Sequence, residues 1–562
     1  MTVGGYVIGQ GRCLSSALVY TWLGYIQAHC HRLEFPLRNF HLAGRSTVHA
    51  AHGMAACEHP LAALAAIDML RRGGTAADGA VAAAAVLAVV EPMATGVGGD
   101  AFCLVAPKGS AAIEGYNGSG RAPRALSLGH FAGQNLARIP QDSPHAVTIP
   151  GAVDCWFALL ARHGKLSPAT VLEPAITYAR DGFAVTPRIS CEWEIARAKL
   201  GRNAHASSHW LVNGAVPRPG MLFRHPALAR TLTEIAHQGR DGFYRGWVAQ
   251  DMVDSLRARG GAHDLADFAG HTGNWVEPVR GTYRGVEVCE IPPNGQGVTT
   301  LLMLNILENF SLSDFPPLGA ARFHLEAEAA RMAFIERGRW IADPDHSNSS
   351  TAHFIDKAFA KSLAASIDPA RAATAAPALR TGDTTYLAVA DADGTMVSFI
   401  NSIYHGWGSG IASDKSGVMF HDRGHGFILD ERHPNALKGG KRPFHTIIPA
   451  LALKDGKPWL AFGVMGGDFQ PVGQTHVLTN IVDYGMDPQE AIDCPRAFLF
   501  EGVLTVEDGV SVQAREQLAA MGHNVKSAPE PLGGSQMVMK DFTGGTWIGG
   551  SDPRKDGCAL GY

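Results

Sequence analysis

The chain has 562 residues, 46% of them hydrophobic and 18% charged, with a formal net charge of −4. That is enough chain for a large core and for two or more folding units. Charge so close to balance gives no electrostatic reason to expect nucleic acid or an anionic membrane as a partner. Nine cysteines without a C-x-x-C pair read as reduced, structural thiols.

Residues 1–44 stand apart from the rest. Residues 13–30 (CLSSALVYTWLGYIQAHC) are uncharged, but the basic region before them is only Arg12 and no A-x-A cleavage site follows. Ser, Thr, Gln and His interrupt the run, so it does not read as a membrane span. The expectation is a cytoplasmic protein, or an exported one if residues 1–30 act as a signal. From Gly53 onward helices and strands alternate. Pro60 opens a helix that ends at Arg71-Arg72-Gly73-Gly74, with basic residues and glycine where a helix C-terminus wants them. A second helix spans Thr75 to Val90. Its run GAVAAAAVLAVV is too short to cross a bilayer and suits burial between layers. Gly96-Val97-Gly98-Gly99-Asp100 leads into a strand over 101–105 and does not meet the G-x-G-x-x-G pattern of a dinucleotide loop.

Residues 150–340 read as mostly helical. His205 and His209 have helical i,i+4 spacing, but the Glu of a zincin motif is absent, so neither a metal nor a cofactor is expected. Residues 345–383, rich in Ala, Ser, Thr and Asp, read as a poorly packing tail.

Thr384 to Ala390 favours a strand, Ala392-Asp393-Gly394 a turn, and Met396 to Ile403 a return strand. A two-residue loop puts Ser402 opposite Thr385. A three-residue loop with Gly394 in the left-handed conformation puts Ser402 opposite Thr384, and this second register is the expected one because it brings two hydroxyls together. Farther on, the apolar run Trp459–Met465 reads as a strand and Gln470 onward as a helix. Gly466 and Gly467 lie between them, where backbone N–H groups can approach a developing negative charge.

A set of motifs gives these features a common meaning: Gly53-Met54-Ala55-Ala56, His59-Pro60-Leu61-Ala62, Gly73-Gly74, Thr148-Ile149-Pro150-Gly151, Gly242-Phe243-Tyr244-Arg245-Gly246, Lys441-Arg442-Pro443, Met465-Gly466-Gly467 and Ser551-Asp552-Pro553-Arg554. In this order they resemble the γ-glutamyltransferase family of self-cleaving, N-terminal-nucleophile hydrolases. The resemblance implies a four-layer αββα sandwich made as a precursor. A cut between Asp383 and Thr384 would divide it into a large subunit (45–383) and a small catalytic one (384–562), held together as a heterodimer that can itself dimerise. It implies that the freed α-amine of Thr384 assists its own hydroxyl in attacking an amide, and that the acyl group passes to water or an amine. Ser402 then supports the nucleophile, and Gly466 and Gly467 form the oxyanion hole.

The residues that grip a free glutamyl head depart from the family pattern. Ser119 stands at the position of the α-carboxylate arginine, and Gly426 at that of an acidic residue. His445-Thr446 replace a Ser-Ser pair, Tyr404 replaces an asparagine, and Tyr386 replaces a histidine. Substitute cations for a substrate carboxylate are Arg121 and Arg423, with His445 as a third. The expected activity is hydrolysis of γ-glutamyl amides such as glutathione. The alternatives are an acylase for a glutaryl-, cephalosporin- or oxamate-type amide, and an unprocessed, inert binding protein.

Overall fold

The computed structural model describes residues 44–347, 350–374, 379 and 382–562. The uncharged stretch at 13–30 lies outside them. No described helix is long and apolar enough to cross a membrane.

Two seven-stranded antiparallel sheets lie face to face. One runs in the order Cys558–Gly561, Met54–Cys57, Asp383–Ala390, Met396–Tyr404, Asp100–Ala106, Glu114–Asn117, Asn274–Val276. The other runs Val48–Ala50, Trp547–Ser551, Ser535–Lys540, Lys457–Val464, Ala450–Lys454, Val286–Glu290, Val279–Tyr283. Side chains alternate across each strand, and that alternation builds the layers. Tyr386, Ala388, Ala390, Phe102, Leu104 and Ile400 face the other sheet's Leu451, Ala461 and Val538. Leu387, Val389, Val397 and Phe399 face the opposite way, onto the helices Pro60–Arg71, Ala76–Val90 and Ala152–His163. Leu460, Phe462, Met537 and Met539 of the second sheet turn outward onto Gly297–Leu307, Ala320–Trp340 and Gln470–Val482. The architecture is the αββα sandwich.

Helix Ala76–Val90 is buried along its whole length. Thr75 caps it through a capping box with Asp78, and the Ala76 N–H donates to Asp391 at 2.9 Å. Asp391 also accepts from Asp393 and Thr395 at 3.1 and 3.0 Å, so one carboxylate closes the nucleophile hairpin and ties it to the helix layer. Ala390 pairs with Met396 and Asp391 N–H donates to the Thr395 carbonyl. This leaves the expected three-residue loop, with Gly394 at φ +99°.

Two expectations need correction. Residues 274–290, read as helical, form three strands, two of them sheet edges; 274–276 pairs with 114–117 and 286–290 with 450–454, far along the chain, while 279–283 pairs with 286–290 as a hairpin. Residues 350–374, read as a poorly packed tail, hold the helices Ala352–Ile355 and Lys357–Ala364. Phe354, Ala360, Ala364 and Ile367 are buried in the same core as helix Gly297–Leu307, so a few apolar residues suffice to anchor a segment of polar composition. Residues 375–378, 380 and 381 lie outside the described set.

Leu387 is buried on the helix-facing side of the nucleophile strand. Leu387→Ala, made in an uncleaved Thr384→Ala background, is expected to lower stability by about 3 kcal/mol, read as a shift in the urea midpoint with unchanged slope.

Candidate active site

Asp383 pairs with Tyr404 and Thr385 with Asn401, so a bulge falls between Asp383 and Thr385. The extra residue is on the return strand, where Ser402 and Ile403 together stand opposite Thr384, and Thr384 is 1% exposed. The Thr384 hydroxyl lies 3.1 Å from Ser402 Oγ and against the Asp383 carbonyl oxygen. Ser402 Oγ lies 2.9 Å from the same carbonyl oxygen. Each hydroxyl has one proton, so two protons serve the three contacts: with both lone pairs of Ser402 Oγ taken by Tyr404 N–H and Arg423 Nη2, the Ser402 proton goes to the carbonyl and the Thr384 hydroxyl rests against the same oxygen. The Thr384 hydroxyl is thereby held against a carbonyl that Ser402 polarises.

Ser402 is in turn held in place. Tyr404 N–H donates to Ser402 Oγ at 2.8 Å and Arg423 Nη2 donates to it at 3.2 Å. Arg423 Nη1 donates to Thr446 Oγ1 at 2.8 Å, and the guanidinium lies 4.0 Å over the Tyr404 ring. Tyr404 has φ +81°, a left-handed conformation costly for an aromatic residue, about 1–3 kcal/mol. That conformation turns its N–H toward Ser402 and its ring beneath Arg423.

On the other side of the Asp383 carbonyl is the glycine turn. Gly466 has φ +119° and Gly467 φ +62°. Among the described residues neither N–H donates to another protein group. Gly382 allows the close approach: a Cβ there would lie 3.1 Å from Gly467 Cα and 3.2 Å from the Tyr404 carbonyl oxygen. The turn is braced from behind. Gln296 donates to the carbonyls of Thr446 and Gly467 at 2.7 and 3.0 Å, and Arg337 joins Gln296 to Asp468 at 2.6 and 2.7 Å.

Of the substitute cations, Arg423 alone is brought to Ser402. Arg121 pairs with Asp343 and Asp345 at 3.4 and 3.0 Å and lines a separate cavity of about 770 Å³. His445 lies one layer below the nucleophile, 3.1 Å from Asp100, and Asp100 is the strand partner of Ser402. Burial and the nearby Arg423 push the His445 imidazole down to about 3, so it is neutral and is no carboxylate clamp. Burial would raise Asp100, but His421, His445 and Arg423 outweigh it and keep the carboxylate charged. The positions that break the family pattern are closed as well. Ser119 is buried and bonded to Asn117 and Asn294 at 2.7 and 3.3 Å. A side chain at Gly426 would meet the Phe444 carbonyl at 2.8 Å.

Several charged groups near Asp383 were not foreseen. Lys555 contacts Glu192 and lies 3.8 Å from the Asp383 carboxylate. Burial opposes its charge, but Asp383 and Glu192 outweigh burial and hold the ammonium above its ordinary range. Glu58 accepts from the Tyr386 N–H at 3.0 Å, while its other oxygen has no partner. Burial, reinforced by Glu91, raises it well above the usual carboxylate range. No local motif marks either residue; only the sandwich brings both to the nucleophile strand. Elsewhere, His205 pairs with Asp414 and His209 bonds the backbone of the same turn. His324, Glu328 and His523 gather ligand-type atoms within 4.8 Å. Their contacts are already hydrogen bonds and ion pairs: His324 to His523 at 2.8 Å and Glu328 to Arg331 at 2.7 Å.

The family model described as gamma-glutamyltranspeptidase matches residues 62–562. The chain belongs to that family. The glutathione hydrolase-like YwrD proenzyme of Bacillus subtilis (strain 168) is 39% identical over 90% of this chain and 98% of its own. The oxamate amidohydrolase proenzyme of Klebsiella pneumoniae is 35% identical over 91% and 99%. A crystal structure of cephalosporin acylase from Bacillus halodurans superposes with a TM-score of 0.87 at 36% identity, covering 94% of this chain and 99% of that one. Family membership makes this chain an enzyme of the N-terminal-nucleophile hydrolase type, and the inert-scaffold alternative falls away.

Two outcomes test the site. Ser402→Ala is expected to slow appearance of the cleaved fragments at least ~100-fold, whereas Ser402→Thr, which keeps the hydroxyl, cleaves within about tenfold of wild type on a timed denaturing gel. Glu58 binds its proton more tightly folded than unfolded, so it costs stability as pH rises from the ordinary glutamate range toward the raised folded value. In the Thr384→Ala precursor, Glu58→Gln is expected to shrink the fall in thermal midpoint between about pH 5 and about pH 8.

Proposed function

We propose that the chain cuts itself between Asp383 and Thr384 and then works as an amidohydrolase through an acyl-Thr384 intermediate. The observation that carries this reading is the placement of the Thr384 hydroxyl against the Asp383 carbonyl, with Ser402 on the carbonyl oxygen and the Gly466–Gly467 turn beside it. In self-cleavage the Oγ–C bond forms, the C–N bond of the peptide breaks, and the hydroxyl proton ends on the released amine. Water then hydrolyses the ester. In turnover that amine takes the hydroxyl proton as Thr384 adds to a substrate amide, and the proton leaves with the departing amine. Water adds to the acyl-enzyme in the same manner and restores Thr384.

γ-Glutamyl amides such as glutathione are the first substrate class, supported by the family and by the glutathione hydrolase-like relative. A second reading, an amide whose acyl group carries a carboxylate but no free amino-acid head, is favoured by the closed positions at Ser119 and Gly426. It is supported also by the oxamate amidohydrolase and cephalosporin acylase likenesses. Water is the proposed acceptor. The two fragments would remain a heterodimer, with a dimer of these as the larger assembly, and the compartment proposed is the cytoplasm.

Wild-type protein is expected to run as fragments of about 19 and about 40 kDa, sharing the 59.6-kDa chain in proportion to the residues on either side of the cut. Edman degradation of the smaller should begin Thr-Thr-Tyr-Leu. Thr384→Ala should remain full length and release no product from any anilide. Comparing γ-glutamyl with glutaryl anilide separates the two substrate classes, and glutaryl turnover alone removes the first.

A further inference from the structure

Self-cleavage and turnover pass through the same kind of intermediate. When Thr384 attacks the Asp383 carbonyl, the resulting ester is an acyl-Thr384 whose acyl group is residue 383 itself. The Asp383 side chain therefore marks where the substituents of an acyl group lie around the nucleophile. It ends in a carboxylate, two carbons from the reacting carbonyl. In the structure that carboxylate accepts from the Thr384 N–H at 3.0 Å and lies 3.8 Å from the Lys555 ammonium.

A cavity of about 270 Å³ opens beside it, lined in part by Asp383, Lys555, Arg188, Glu192, His405 and Gly466. Gly466 belongs to the glycine turn, so cavity and turn flank one carbonyl. Residue 383 is one member of the charge cluster in this cavity, its carboxyl raised by burial and drawn back by Lys555. Lys555, 9% exposed, contacts both Glu192 and Asp383. Arg188 holds Glu192 through Nε at 2.8 Å and Nη2 at 2.5 Å. Two cations thus face two carboxylates. Glu58 and Glu91, the nearby buried acids, are raised well above the usual carboxylate range mainly by burial, with Lys555 drawing both back down. Glu530 on the cavity lining is exposed, and Asp556 is bonded to Thr186. Once the peptide is cut and residue 383 gives way to substrate, Glu192 is the carboxylate left in direct contact with Lys555 and Arg188. A buried cation stripped of a counter-charge is costly, and an acyl group bearing a carboxylate restores the match.

Resting on the acyl-Thr384 reading above, we propose that this cavity is the acyl subsite and that Lys555, backed by Arg188, receives the substrate's carboxylate. Of the two substrate classes above, this cavity fits the second, the monoamides of short dicarboxylic acids, succinyl and glutaryl amides above all. An α-ammonium beside the carboxylate, as in a γ-glutamyl group, faces the same two cations and is disfavoured.

The test compares succinyl, glutaryl, γ-glutamyl and butyryl p-nitroanilides on processed wild-type enzyme, Lys555→Met and Arg188→Met. Wild type is expected to prefer glutaryl or succinyl over butyryl by at least about 100-fold in kcat/KM, and each variant to lose at least about tenfold of that preference, through KM rather than kcat. Lys555 touches Asp383, so Lys555→Met protein that stays uncleaved is set aside. Arg188→Met, together with inhibition of wild type by glutarate against butyrate, then decides. Unchanged selectivity in Arg188→Met with equal inhibition by the two acids overturns the subsite and leaves the acyl-threonine mechanism standing. Wild type that hydrolyses no anilide and shows no acyl-Thr384 adduct by mass spectrometry removes the mechanism itself, and the subsite with it.

Discussion

Ser402 Oγ touches both partners of the bond to be made, the Thr384 hydroxyl and the Asp383 carbonyl oxygen. Both contacts depend on hairpin register: one residue of slip would turn every side chain of the return strand to the other face. The structure secures that register at both ends. At the turn, Asp391 binds the loop and the first N–H of a buried helix. At the open end, a bulge and the left-handed Tyr404 interrupt the regular ladder. Irregularity there lets an otherwise ordinary hairpin press a hydroxyl onto the preceding carbonyl. Arg423 contributes by stacking on Tyr404 and bonding Ser402 and Thr446, which makes the strained conformation the one that satisfies the most partners.

Around that contact, chemistry and recognition are separable. The groups acting on the carbonyl come from the hairpin and the glycine turn, braced by Gln296, Arg337 and Asp468. The groups facing the side chain of residue 383 come from helix Pro187–Ile195 and from the segment around Lys555. Exchange in the second set leaves the first intact, so one scaffold can serve different acyl groups. The family relatives named for different amides are what such a division would produce.

Much of this was readable in the chain. The short polar turn around Gly394 left two loop lengths and the meeting of two hydroxyls chose between them, a helix was expected from Thr75, and Gly466-Gly467 between an apolar strand and a helix marked a tight turn. Each is a local rule acting over a few residues. What escaped is long-range. Residues 274–276 and 286–290 form strands because distant strands accept them, and residues 352–355 and 357–364 form helices because Phe354 and Ala360 find a core contributed by other elements. Lys555 and Glu58 look like surface charges in sequence, yet folding buries both beside Asp383. The candidate cations illustrate the same limit: Arg121, His445 and Arg423 are equivalent on paper, and their partners separate them, two acids for the first, Asp100 for the second, Ser402 for the third.

Strand Met54–Cys57 lies between Cys558–Gly561 and the nucleophile strand, and the backbone of Tyr562 is bonded to His52 and Gly53. Opposite stretches of the polypeptide are therefore woven into one sheet, and a nick at residue 383 frees neither piece. The same weave sets an order of events during biosynthesis. A ribosome that has just released the Thr384 hairpin has still to make Gly466 and Lys555, both of which adjoin Asp383. On the proposed mechanism the nascent chain thus carries its nucleophile for some time without the groups that surround the bond, and the precursor would become competent to divide only after translation has passed them.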